Sequence, residues 1–249
     1  KDTYKIARDT APNVFLIGNL SGVQLAKEGV SAAEKAVEMI EANALAIHLN
    51  SLQALVQPEG TTTFRGILES IRKAAEKLSV PIIVKEVGTG ISGETAKKLA
   101  KAGVKAIDIA GAGGTNWVKV EGIRAMRGNE GVKVMMAQNI IEWGIPTAAS
   151  IIEVRNAAPK AFIIGSGGIR SAYDAVKALR IGADMVGIAR PILRMLIEGK
   201  LRDYMKAFIL SMKALIAMTN SRDVNELRLK PVIIVGLLKE WIESRGLRI

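Results

Sequence analysis

Phe162-Ile163-Ile164-Gly165-Ser166-Gly167-Gly168-Ile169-Arg170 is the stretch whose reading decides the fold. Its first four residues form a short β-branched run that ends in glycine, which reads as a buried parallel strand. A helical pattern over 171–181 follows directly, so the segment predicts a strand–loop–helix unit with its glycines at the carboxyl end of the strand. That is where α/β proteins place their ligands. Glycines let backbone N–H groups approach a phosphate, and the start of the next helix adds partial positive charge. The plan repeats one unit later, where MVGI at 185–188 reads as a strand and Ala189-Arg190-Pro191 follows it. In barrels the last two such loops are the usual phosphate-binding pair. Two tight turns that need glycine for geometry alone are the plainer alternative.

Working outward, four further apolar runs read as strands: 14–18 (VFLIG), 44–48 (ALAIH), 82–85 (IIVK) and 106–109 (AIDI). Helical patterns over 32–42, 64–78, 92–102 and 147–157 lie between them. Ser92 precedes a helix with Glu94 in its first turn, Gly103 follows its last turn, and Pro146 and Pro191 stand where a first helical position is expected. Alternation of this kind predicts a parallel sheet with right-handed crossovers, either an open sheet or a barrel. No linker rich in Gly, Ser or Pro divides the 249 residues, so a single domain is expected. It comprises strand–helix units over 1–200 and a helical tail over 201–249, with amphipathic stretches at 201–219 and 232–245.

Composition narrows the chemistry. With 49% hydrophobic and 24% charged residues the chain is that of a folded globular protein. The absence of cysteine excludes disulfides, thiolate metal sites and cysteine nucleophiles. A single histidine excludes multi-histidine metal sites and makes any Ser/His/Asp triad depend on His48. No apolar run of membrane-spanning length and no signal-peptide plan occur, so a cytoplasmic protein with no membrane partner is expected. The net charge of +11 points to an anionic partner. The basic residues are spread over helix faces without clusters or interleaved aromatics, so a phosphorylated small molecule is expected rather than nucleic acid.

Polar segments gather after the strands. Gly111-Ala112-Gly113-Gly114-Thr115-Asn116-Trp117 follows the fourth, and His48-Leu49-Asn50-Ser51-Leu52-Gln53 leaves the second, with Gln57-Pro58-Glu59-Gly60 shortly after. The latter reads as a ligand-facing loop at a barrel rim. Lys85 ends the third strand beside Glu86, and a lysine at the inner rim of a buried strand is costly unless it meets an anion or a polar cofactor.

These motifs together resemble one family. HLNSLQ at 48–53, QPEG at 57–60, VPIIVKEVGTGIS at 80–92, GAGGTNW at 111–117, WGIPTAASI at 143–151 and GSGGIR at 165–170 are similar, in order and spacing, to type 2 isopentenyl-diphosphate isomerase. The resemblance implies a TIM-barrel-type (β/α)8 flavin enzyme of isoprenoid biosynthesis, of which six strand–helix units are evident here. It implies a homo-oligomer that interconverts isopentenyl and dimethylallyl diphosphates using reduced FMN, NADPH as reductant and Mg²⁺, with the flavin as acid–base catalyst. Carried over by position, the flavin contacts fall on Asn19 and Lys85, on Thr115, on Gly167, Gly168 and Ile169, and on Ala189 and Arg190. Lys85 would stabilise negative charge on the reduced ring. Gln53 matches the catalytic glutamine beside the reacting end of the substrate, and His48 and Asn50 match residues that hold the diphosphate or its metal.

The chain also departs from the pattern. The family's Mg²⁺-ligating Glu after that glutamine is Ala54 here, and a methyl group offers a hard cation nothing. Glu59 is a candidate substitute; a flavin-contacting serine is replaced by Ala110 and an aspartate after QPEG by Thr61. The resemblance further implies that the chain starts at the family's third strand, without its Arg-Lys diphosphate clamp. Two other readings stand beside the isomerase. One is an FMN-dependent oxidoreductase, which GIARP at 187–191 also resembles, and the other is an inactive or designed barrel fragment with exposed sheet edges.

Overall fold

Ala44-Leu45-Ala46-Ile47-His48 is buried at every residue but the last, which explains its unbroken apolar run: a central parallel strand is covered on both faces. Leu45 and Ile47 are fully buried, and each contributes about 1.5–3 kcal/mol by leaving water. The computed structural model describes the backbone of residues 2–57 and 59–249 and side chains from Tyr4 onward. Pro58 of the QPEG segment lies outside the described residues.

The elements run α1 (Asp2–Thr10), β1 (Ile17–Ser21), α2 (Gly22–Glu28), α3 (Val30–Ile40), β2 (Ala44–His48), α4 (Ser51–Val56), α5 (Ile67–Lys77), β3 (Ile82–Lys85), α6 (Gly93–Lys101) and β4 (Ala106–Asp108). They continue with α7 (Trp117–Arg127), α8 (Gly131–Ile140), α9 (Thr147–Ala157), β5 (Phe162–Gly165), α10 (Ala172–Arg180), β6 (Met185–Val186), α11 (Arg190–Ile197), α12 (Leu201–Met218), α13 (Val224–Arg228) and α14 (Gly236–Arg245). The strands follow chain order in one six-stranded sheet, and the β1–β2, β2–β3 and β5–β6 pairs are parallel. Among the described residues no helix is long and apolar enough to cross a membrane.

The first strand differs from its expected window of 14–18. Val14 and Phe15 are exposed, and the strand occupies Ile17–Ser21, three residues later. Its burial alternates, with only Gly18 and Leu20 buried, so β1 is covered on one face and does not carry the continuous apolar run of β2. Pairing with β2 fixes it, Ile17 opposite Ala44 through Ser21 opposite His48. Strands β4 and β6 end one and two residues sooner than 109 and 188. Pro146 precedes α9 as its cap residue instead of opening the helix, and Pro191 is the second residue of α11.

The chain forms two compact units that interleave along the sequence. The first comprises residues up to Val87 with Glu94–Ile107 and Asn116–Trp143; the second comprises Gly88–Gly93, Asp108–Thr115 and Gly144–Ile249. In the first unit, α7 and α8 form a helical hairpin whose Val118 and Ala137 pack with Val56 of α4. Asn116 starts it by accepting the Lys119 N–H at 3.0 Å. In the second unit, Met212, Leu215 and Ile216 of α12 and Leu227 of α13 cover Val176 and Leu179 of α10. α14 is held differently. Buried Glu153 of α9 accepts the Trp241 indole N–H at 2.8 Å, the Arg245 guanidinium at 3.1 Å and the Gly93 backbone N–H at 2.7 Å.

Candidate functional site

Register lines up the polar strand ends of the first unit. Ser21 is opposite His48, and His48 is opposite Lys85, so three side chains stand abreast where β1, β2 and β3 finish. His48 Nδ1 lies 3.3 Å from Oδ1 of Asn19 on β1. A neutral imidazole that donates from Nδ1 to this oxygen keeps its lone pair on Nε2. Burial, and then the charge of Lys85, hold the imidazole below its ordinary value, which favours that neutral ring. Lys85 is half-buried and donates to the Glu86 carbonyl at 2.7 Å. Asn50 is the residue before α4 and makes no side-chain bond to the helix start.

Gln53, on α4, is held by a residue that the sequence did not single out. Its Nε2 donates to Oε1 of Glu121 at 2.8 Å, and Glu121 is only 2% exposed. The other oxygen of Glu121 accepts Arg124 Nη1 at 2.7 Å, and Arg124 Nη2 reaches Oε1 of Glu59 at 3.0 Å. The chain Gln53–Glu121–Arg124–Glu59 therefore joins α4, α7 and the QPEG loop. With its nitrogen engaged, the Gln53 amide has its carbonyl oxygen left to present as an acceptor. Glu121 lies 68 residues from Gln53 on a helix whose start signal, Asn116, ends the GAGGTN segment. That cap sets the start of the helix that carries Glu121, but it does not mark Gln53 as the partner.

In the second unit the glycines pack against one another. A Cβ on Gly168 would stand 2.3 Å from the Gly113 oxygen, and one on Gly167 would stand 2.4 Å from the Gly111 nitrogen. Both have positive φ, 98° and 88° for Gly167 and Gly168. Side chains fasten the two loops: Ser166 Oγ donates to the Asp108 carboxylate and accepts the Ala110 N–H at 3.0 Å. Thr147 Oγ1 donates to the Gly167 carbonyl at 2.5 Å, and Arg170 Nη2 donates to that of Gly113 at 2.7 Å. Arg170 is thus a loop clasp. Ala110, which stands at the family's serine position, has a φ of 38°.

The residues present fit a phosphate. Among the described residues no protein acceptor receives the backbone N–H of Gly167, Gly168 or Ile169. The end of β6 lies beside this loop, since Gly187 donates to the Gly165 carbonyl at 3.0 Å. Ala189 and Arg190 then begin α11, whose first N–H groups are unpaired by construction of the helix. The Arg190 guanidinium is exposed and has no carboxylate partner among the described residues. Thr115 is exposed at the end of the neighbouring glycine loop. Loop amides, a helix start and a guanidinium are the kinds of donor that the phosphate of an FMN takes.

Mg²⁺ finds no such set. Ala54 is buried at 5% exposure on α4, Glu59 is paired with Arg124, and among the described residues no group of three His, Asp or Glu could hold a metal ion.

Glycine loops at consecutive strand ends of an α/β sheet are those of a phosphate-binding α/β protein, and residues 19–227 match the FMN-dependent dehydrogenase family. The chain belongs to that family, whose fold is the TIM-barrel flavin fold, and within it to the isopentenyl-diphosphate delta-isomerases. It is 45% identical over 248 residues to the isopentenyl-diphosphate delta-isomerase of Ignicoccus hospitalis, covering 98% of this chain and 69% of the relative. The isopentenyl-diphosphate delta-isomerase of Metallosphaera sedula is 45% identical, with 99% and 68% covered. That of Aeropyrum pernix is 43% identical, with 98% and 66% covered. The chain thus spans about two thirds of the length of these relatives.

Proposed function

We propose that the chain binds FMN and, with the flavin reduced, converts isopentenyl diphosphate to dimethylallyl diphosphate. The observation that carries the flavin part is the set of acceptor-free N–H groups at Gly167, Gly168 and Ile169 beside the Arg190 helix start. The names of the relatives support the substrate. The carry-over by position supports Asn19, Lys85, Thr115, Ala189 and Arg190 as further flavin contacts. NADPH as electron source, a homo-oligomeric assembly, a cytoplasmic setting and a single barrel domain with a helical tail belong to the same proposal.

When bound, the reduced flavin supplies a proton-transferring ring to a reaction with no net redox change. The Lys85 ammonium stabilises the ring's negative charge, at a half-buried position where such a charge interacts more strongly than in water. Gln53 faces the alkene with its carbonyl oxygen, because Glu121 holds the amide nitrogen. A fixed oxygen dipole favours the positive charge that develops when the alkene gains a proton. Asn50 offers an uncommitted amide to the diphosphate, and His48 gains a proton more readily once an anion offsets the charge of Lys85. No step is assigned to Mg²⁺, whose donor set does not fit.

The test is reconstitution with FMN, reduction, and incubation with labelled isopentenyl diphosphate. A yellow protein that isomerises the label only when reduced is the expected result. A yellow protein that leaves the label unchanged and oxidises an organic substrate would favour the second reading, an FMN-dependent oxidoreductase, which the family match over 19–227 also supports.

A further inference from the structure

The donor set around α4 points to a cation that belongs to the anion and not to the protein. We propose that a divalent cation reaches this rim only as part of a diphosphate complex, with phosphate and water oxygens as its entire inner shell. The proposal rests on the diphosphate reading above.

The argument is one of committed oxygens. Mg²⁺ requires six oxygen ligands in near-ideal octahedral geometry, and carboxylates are the protein groups that hold it best. The helix position directly after Gln53 offers a buried methyl, Ala54. Among the described residues, the carboxylates of the Gln53 network and the one beside Lys85 already have partners. Glu121 uses one oxygen for Gln53 and the other for Arg124. Glu59 accepts from Arg124 at 3.0 Å. Glu86, beside Lys85, accepts the Val87 N–H at 2.7 Å and is 9% exposed. For Glu59 to take up a cation it would have to turn from Arg124, leaving a guanidinium next to a dication. For Glu121 to do so would release the Gln53 amide. The rim therefore leaves His48 and Asn50 to meet the diphosphate while its carboxylates neutralise protein cations or brace amides. A cation whose shell the protein does not shape is chosen by charge and availability, so the rim should discriminate poorly between divalent ions.

The FMN-loaded full chain is titrated by calorimetry with MgCl₂ alone to millimolar concentrations, and then with inorganic pyrophosphate in the presence of Mg²⁺, Mn²⁺ or Ca²⁺. No saturable heat with MgCl₂ alone, and pyrophosphate affinities within about threefold of one another across the ions, are expected. Saturable Mg²⁺ binding without pyrophosphate overturns the proposal, and its loss in Glu59→Gln would identify Glu59 as the ligand. So does a preference for Mg²⁺ over Ca²⁺ of about tenfold or more, the mark of a protein-built shell. Failure of pyrophosphate to bind with any ion counts against the diphosphate reading, while the MgCl₂ titration still decides the origin of the cation.

Discussion

The α4 rim of the first unit and the glycine loops of the second are built by opposite means. At the rim, side chains far apart in sequence meet: Gln53, Glu121, Arg124 and Glu59 form a network around one buried carboxylate. In the glycine loops, backbone meets backbone, and the side chains of Ser166, Thr147 and Arg170 serve only to fasten it. A network of side chains can lose one member and survive in weakened form. A backbone contact at 2.3 Å from a missing Cβ cannot accept even a methyl group.

Gly168→Ala should therefore break the comparison most visibly. A positive φ of 88° and the clash with the Gly113 oxygen together cost about 2–4 kcal/mol. Urea unfolding should show that loss, and FMN titration should show cofactor affinity falling with it. Glu121→Ala comes next on the rim side. It leaves the part-buried Gln53 amide without its acceptor, a cost of about 1–3 kcal/mol. Turnover should fall about tenfold or more as the amide loses its orientation, while FMN affinity stays as it was. An unchanged turnover would remove Glu121 from the positioning of Gln53. On the loop side, Ala110→Gly should raise stability slightly, because relief of the strained φ of 38°, about 1–3 kcal/mol, outweighs the roughly 0.4–1 kcal/mol that glycine costs through the freer unfolded chain. A lower melting temperature in that variant would show that the Ala110 methyl packs for more than its backbone costs.

The smallest effect is one of pH. His48 has its folded-state value lowered from 6.5 by burial and by Lys85, so between the two values the unfolded chain binds more protons. Stability from this group is whole above about 6.5 and declines as pH falls through that window toward the lowered value. Unfolding curves across that range should flatten in His48→Gln, and an unaltered slope would assign the acid sensitivity to carboxylates.

The same contrast decides what was legible in the sequence. β2 and β3 lie at 44–48 and 82–85 as read, because strands buried on both faces leave a continuous apolar run, and β5 lies at 162–165 as read because its residues are apolar throughout even though Phe162 is exposed. β1 is covered on one face, and its polar Asn19 and small Gly18 drew the reading toward the more apolar but exposed 14–18. The glycine loops announced themselves because a backbone close approach writes one letter repeatedly. Thr147 could not be linked to Gly167, nor Glu121 to Gln53, since an isolated polar residue carries no mark of a partner 20 or 68 positions away. The family pattern found Gln53 and the loss of carboxylate at Ala54, but the pairing that occupies Glu59 is visible only in three dimensions.

Glu153 carries a consequence for the order of events during synthesis. It is 2% exposed, and two of its three partners, Trp241 and Arg245, follow it by 88 and 92 residues. A growing chain that has already made α9 and β5 can offer that carboxylate only the Gly93 N–H, and burying it without a counter-charge costs several kcal/mol. The Glu153 carboxylate gains its full set of partners only once Trp241 and Arg245 of α14 are in place. Until then α9 remains open to proteases and chaperones, so cells should tolerate a stop codon ahead of Trp241 far less well than the exposed surface of α14 would suggest.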